Sequence, residues 1–159
     1  MEQHPQRDLS GSGRVIALDT NLLVYAHRPE MPFHERAREA LNEAAAGPEP
    51  IAVPWPCVHE FLAVVSNPRI FREPTPIDVA LDAVSRLRAS ASVALLAEGD
   101  GYFETLERIA RTARLQGAIV HDARVAALCI FHGARALWSA DRDFSRFPEL
   151  NVVNPLTAL

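Results

Sequence analysis

The chain has 159 residues, 48% hydrophobic and 23% charged, with 16 basic side chains against 20 acidic ones and a formal net charge of −4. These proportions describe one soluble globular domain, long enough to bury about 70% of the surface of its unfolded form and so to hold a core without disulfides or structural metal. They exclude a uniformly basic protein that coats duplex by charge, yet every basic residue is arginine, which grips phosphate with two donors, so a local arginine patch leaves nucleic acid open as a substrate.

Met1 to Gly13 is polar, with Pro5, Gly11, Ser12 and Gly13 among charges, and reads as a disordered arm ahead of a single domain over residues 14–159. It has no apolar signal region, and no window of the chain approaches the roughly 18 apolar residues of a membrane span, so a cytoplasmic protein is expected. Arg14-Val-Ile-Ala-Leu18 is a short β-branched apolar run, the pattern of a strand buried on both faces, and it stops at Asp19. Thr20 to Ala26 reads as a short helix, and Pro32 to Ala46 as an amphipathic one ended by Gly47-Pro48. Ile51-Ala-Val53 is the next strand, followed by a helix with Pro56 in its first turn and Val58, Phe61, Leu62 and Val65 on one face.

After a loop over Ser66 to Pro74, Thr75-Pro-Ile-Asp78 has the form of a capping box for a helix running to about Ala89. Ser92 to Ala97 reads as a strand, Tyr102 to Leu115 and Val120 to Phe131 as helices, the latter closed by Gly133, and Ala136 to Ser139 and Val152-Val153 as two last strands. Short apolar strands separated by helices predict an α/β fold, a parallel sheet covered by helices on both faces. Cys57 and Cys129 lie in apolar helical contexts with no metal-ligand spacing and are expected to be reduced core thiols. Trp55 and Trp138 fall beside strands and read as core.

In an open parallel sheet, ligands bind beyond the carboxyl ends of the strands, and carboxylates collect there. Asp19 follows the first strand, Glu60 lies about a turn into the helix after the second, Asp122 opens the helix before the fourth, and Asp141 and Asp143 follow the fourth. A lone aspartate at a helix start more often caps than catalyses. Glu60, flanked by Val58, Phe61 and Leu62, reads as half-buried and in need of a partner. Converging carboxylates repel one another unless a cation neutralises them, and oxygen-only ligands suit Mg²⁺ or Mn²⁺, so hydrolysis of a phosphodiester is the implied chemistry.

Leu18-Asp-Thr-Asn-Leu-Leu-Val-Tyr-Ala26, Val58-His-Glu-Phe61, His121-Asp-Ala-Arg-Val-Ala-Ala127 and Trp138-Ser-Ala-Asp-Arg-Asp-Phe144 together resemble the PIN-domain ribonucleases, particularly the VapC toxins of toxin-antitoxin pairs. Ser66-Asn-Pro-Arg69 is similar to a segment of a subgroup of them. The resemblance implies a three-layer α/β/α sandwich around a five-stranded parallel sheet and a Mg²⁺- or Mn²⁺-dependent endoribonuclease acting on RNA. It also implies a homodimer and a cognate VapB-like antitoxin that blocks the site. By motif position, Asp19, Glu60, Asp122 and Asp141 would be catalytic, with Asp19, Asp122 and Asp141 holding the metal and Glu60 positioning the attacking water or a second ion. Asp143 would be an accessory acid, and Asn21 and Ser139 would orient carboxylates, Ser139 standing where the family more often has threonine. Arg69 and Arg142, with Arg72 and Arg146 nearby, are the candidate substrate contacts.

A haloacid-dehalogenase-like phosphatase also places an aspartate after its first strand, but it needs Asp-x-Asp and a lysine, where this chain has Asn21 and no lysine. A catalytically silent PIN-like module that binds RNA or protein is the remaining alternative, separated from the nuclease by metal-dependent cleavage.

Overall fold

A computed structural model describes residues 15–157; the proposed N-terminal arm lies outside them. In chain order the elements are β1 (Ile16–Leu18), α1 (Thr20–His27), α2 (His34–Ala46), β2 (Ile51–Pro54), α3 (Trp55–Val65), α4 (Ile77–Ala89), β3 (Val93–Leu96), α5 (Tyr102–Ala113), α6 (Ile119–Phe131), β4 (Ala136–Trp138), a 3-10 helix (Arg142–Arg146) and β5 (Val152–Val153). The strands form one parallel sheet in the order β3-β2-β1-β4-β5. Ile16 of β1 sits opposite both Ile51 of β2 and Ala136 of β4.

All residues of β1 and β2 are buried, which is why these strands read as unbroken apolar runs rather than alternating ones. The sheet starts at its centre. Two crossovers carry the chain from β1 to β2 to β3 on one side, with α1 packed on both α2 and α3; α5 and α6 then return it past β1 to β4. Right-handed crossovers running in opposite directions place their helices on opposite faces. The order therefore reverses between β1 and β4, and in such sheets the crevice for a ligand opens at that reversal, beyond the strand ends. The core includes Leu18, Leu22, Val53, Val58, Val65, Leu96, Leu128, Leu137, Phe144 and Phe147, each at most 2% exposed, and burial of each such side chain stabilises the fold by about 1.5–3 kcal/mol. Trp55 and Trp138 are partly buried against it, and Cys57 and Cys129 are buried free thiols.

Local signals account for most element ends. Gly133 takes φ +68° just beyond α6 and donates its N–H to the Ile130 carbonyl, a left-handed closure that suits glycine. The expected capping box at α4 does not form. Pro76 occupies the capping position with no side-chain bond, and Thr75, one residue too early, turns inward to 7% exposure. There its hydroxyl accepts from Arg28 Nη1 at 2.8 Å and pairs with His27 Nε2 at 3.2 Å. Arg28 also donates to the Glu73 carbonyl and lies 4.2 Å over the Phe71 ring, so the segment between α3 and α4 is fastened to the end of α1. Among the described residues no helix is long and apolar enough to cross a membrane.

Candidate active site

Asp19 ends β1 in an extended conformation and caps α1, accepting from the Thr20 N–H at 2.8 Å through Oδ1. It is 6% exposed, and a carboxylate so buried needs its lone pairs filled. Cys57 Sγ donates to Oδ1 at 3.6 Å, while Ser139 Oγ at 2.7 Å and Asn21 Nδ2 at 3.2 Å donate to Oδ2. Burial is the main force raising its carboxyl above the ordinary value. The bonds from Ser139, Thr20 and Cys57 oppose that rise, and the Glu60 charge adds to it. The Cys57 thiol is itself pushed well up, first by burial and then by the Asp19 charge, so it stays protonated and able to donate.

The β4 exit is joined to this network through the Ser139 hydroxyl and the Asn21 amide. Ser139, 1% exposed, donates to Asp19 and accepts from Asn21 Nδ2 at 3.2 Å and from the Asp141 N–H at 3.0 Å, which uses its whole bonding capacity. Asn21 Oδ1 accepts from the Ala140 N–H at 3.2 Å. Asp141 then caps the 3-10 helix, its Oδ1 accepting from the Asp143 N–H at 2.8 Å. Asp141, rather than Asp143, is thus the helix-capping acid of this segment.

Asp122 stands in the first turn of α6, and one carboxylate oxygen from each of Asp122, Asp141 and Asp143 lies within 4.8 Å of the others. The Asp122 carboxyl is raised to about 6, by burial first and then by the charges of Asp141, Asp19, Asp143 and Glu60. Each of the other four acids is near enough to act on it. Among the described residues none of the five takes part in an ion pair, so their mutual repulsion has no arginine to relieve it. An oxygen-only cluster with uncompensated negative charge fits a hard divalent cation. The trio of close carboxylates contains Asp143, expected only as an accessory acid, and leaves Asp19 behind it, held by its four donors.

Glu60 differs from expectation. It is exposed rather than half-buried, because Val58, Phe61 and Val65 take the inward face of α3 and leave it on the flank. It still has a partner: Thr20 Oγ1 donates to Oε2 at 2.9 Å. Arg142, between Asp141 and Asp143, is exposed. Arg69 is exposed in the loop past the far end of α3, about 16 Å of helix from the β2 exit, and is not gathered with the acids. The residues missed by the sequence reading are Thr20 and Cys57, taken only as a helix start and a core thiol. Each had a positional signal, since Thr20 follows Asp19 directly and Cys57 lies one helical turn before Glu60.

The raised carboxyl of Asp122 has a measurable consequence. Its neutral form is favoured in the folded state, so the stabilisation it gives is full below pH ~4 and lost as the pH rises through about 6. In EDTA the wild-type protein should therefore be less stable at pH 7.5 than at pH 5 relative to Asp122→Asn. Discounted for solvent screening at this partly exposed group, the difference is about 1 kcal/mol, or about 2–4 °C in Tm. Thermal melts of both proteins at the two pH values check it; equal pH dependence would mean that Asp122 is not held up by its neighbours.

A family model described as PIN domain matches residues 16–150. Ribonuclease VapC43 of Mycobacterium tuberculosis is 34% identical over 142 residues, covering 89% of this chain and 96% of that protein. Among solved structures, VapBC2 from Rickettsia felis bound to a DNA fragment from its promoter matches with a TM-score of 0.65 at 18% identity, over 88% of this chain and 98% of that one. VapC20 of Mycobacterium tuberculosis, described as a sarcin-ricin loop cleaving toxin, matches with a TM-score of 0.60 at 20% identity, over 82% and 92%.

Proposed function

The chain belongs to the PIN-domain family, and from that premise we propose that it is a metal-dependent endoribonuclease, the toxin of a VapBC-type pair. The observation that carries this reading is the set of five carboxylates around the strand exits, none of them in an ion pair among the described residues, and with Asp122 raised by burial and then by the charges of all four others. Relatives named as ribonucleases at 30% identity and above support the activity.

Asp122, Asp141 and Asp143, with Asp19 behind them, would hold a divalent cation, Mg²⁺ or equally Mn²⁺ given the oxygen-only donor set. A cation bound there supplies Lewis-acid chemistry, neutralising the carboxylates and a phosphate and acidifying water for hydrolysis of an RNA phosphodiester. The chain's own groups do the rest. Ser139 and Asn21 fix Asp19 and the start of the β4 loop, Glu60 orients the attacking water, and Arg142 meets the RNA backbone.

The RNA is tRNA or another structured RNA whose cleavage stops translation and growth, a reading in keeping with the sarcin-ricin loop named as cleaved by VapC20. In this reading the protein is a cytoplasmic homodimer whose site a VapB-like antitoxin covers, in keeping with the VapBC2 assembly among the solved structures of the same fold. Purified protein incubated with total RNA and with short stem-loops in Mg²⁺, Mn²⁺ or EDTA should give discrete fragments in either metal and none in EDTA. Intact RNA in every condition, with no heat of Mg²⁺ or Mn²⁺ binding by titration calorimetry, would overturn the nuclease in favour of a silent RNA- or protein-binding module.

A further inference from the structure

We infer that Thr20 is a positioning residue for the proposed reaction, its hydroxyl fixing the carboxylate of Glu60; the role in cleavage rests on the ribonuclease reading above. Glu60 comes from the exposed flank of α3 on a long side chain that solvent would leave free to rotate. Among the described residues its hydrogen-bond partner is the Thr20 hydroxyl, 2.9 Å from Oε2. Thr20 suits this task. It is 5% exposed, and a threonine in a helix has only two common rotamers, so burial and the bond to Glu60 leave its hydroxyl little freedom.

The same residue holds a second acid. The Thr20 N–H donates to Asp19 Oδ1 at 2.8 Å, so Thr20 ties the acid at the β1 exit to the one on α3, which lies 40 residues beyond Thr20, through main chain and side chain respectively. Its single hydroxyl proton has a second acceptor in the Cys57 carbonyl at 3.4 Å, longer and weaker than the bond to Glu60. Without Glu60 that carbonyl still satisfies the buried hydroxyl. Glu60 is therefore dispensable to the hydroxyl's polar accounting, whereas the direction of Glu60 depends on the hydroxyl, which separates a positioning role from a structural one.

The test compares wild-type protein with Thr20→Val, Thr20→Ser, Glu60→Ala and the double variant Thr20→Val/Glu60→Ala. RNA cleavage in Mg²⁺, thermal melts and the carboxyl ¹³C signal of Glu60 are measured for each variant that carries the group. Thr20→Val should lower kcat by about 10- to 100-fold, the usual scale for removing a group that orients a metal-site residue, with KM for RNA and Tm unchanged. Thr20→Ser should restore kcat, and Thr20→Val should cost nothing further in the Glu60→Ala background. The Glu60 signal should shift in Thr20→Val and return in Thr20→Ser. Wild-type kcat in Thr20→Val, an undiminished effect in the Glu60→Ala background, or a loss that Ser does not rescue would overturn the inference. If the wild-type protein cuts no RNA in any metal, the ribonuclease reading fails, and the Glu60 signal still decides whether the hydroxyl holds the carboxylate.

Discussion

Asp122→Asn should abolish metal-dependent RNA cleavage while making the metal-free protein more stable at pH 7.5, two effects of opposite sign from one lost charge. Asp122 is the acid on which the other four converge, its carboxyl raised to about 6 by burial and by their charges. Asparagine keeps its shape and removes that charge, so the repulsion is relieved and the protein gains stability where the carboxylate would be ionised. The proposed cation, however, would lose an anionic oxygen from the trio whose atoms lie within 4.8 Å. A loss of about 4 kcal/mol in transition-state stabilisation, about a thousandfold in rate, is the scale expected for such a site. A cleavage assay in Mg²⁺ paired with melts in EDTA measures both effects. Cleavage within tenfold of wild type would remove Asp122 from the machinery.

The second large effect is expected at Ser139. Removing its hydroxyl in Ser139→Ala leaves Asp19 Oδ2 without its shortest bond and the Asp141 N–H and one Asn21 amide proton without their acceptor, all around a residue 1% exposed. At about 1–3 kcal/mol for a buried polar group left unsatisfied, with Asn21 still reaching Asp19, the total is about 3 kcal/mol, or about 6–12 °C in Tm for a chain of this size. Cleavage should fall about 10- to 100-fold as Asp19 and Asp141 lose their orientation. Melts and kcat for Ser139→Ala decide it, with Ser139→Thr, which keeps the hydroxyl, expected to retain most of both. A Tm within 2 °C of wild type would show that the hydroxyl does not bind the two strand exits together.

The elements legible in the sequence are those whose signal is local. Runs such as Ile51-Ala-Val53 state by their lack of alternation that both faces are covered, and the alanines at 37, 40 and 44 state which face of α2 is buried. The position of the acids follows from topology, because a carboxylate at the end of a parallel strand lies on the ligand-binding edge whatever its partners. What escaped depends on contacts between distant segments. Thr75 looks like a helix cap until Arg28, 47 residues earlier, supplies a better partner. Glu60 looks half-buried from its neighbours, but burial of a helix flank is decided by what packs beside it. Cys57 looks like plain core until Asp19 is found 3.6 Å away. Such bonds obey distance in space, which spacing along the chain does not encode.

The strand at the centre of the sheet is also made before the other four, and this bears on when the proposed cleavage site is complete. Asp19 and Ser139 are separated by 120 residues, which a ribosome adding 5–20 residues per second takes roughly 6–24 s to bridge. During that interval the nascent chain has strands for only one side of β1, and it lacks first Asp122 and then the β4 loop with Asp141 and Asp143. A chain that stalls or is cut before α6 carries Asp19 and Glu60 without Asp122, Asp141 and Asp143. The order of synthesis thus acts as a built-in delay, in which the proposed site is complete only once β4 and the acids after it have been made.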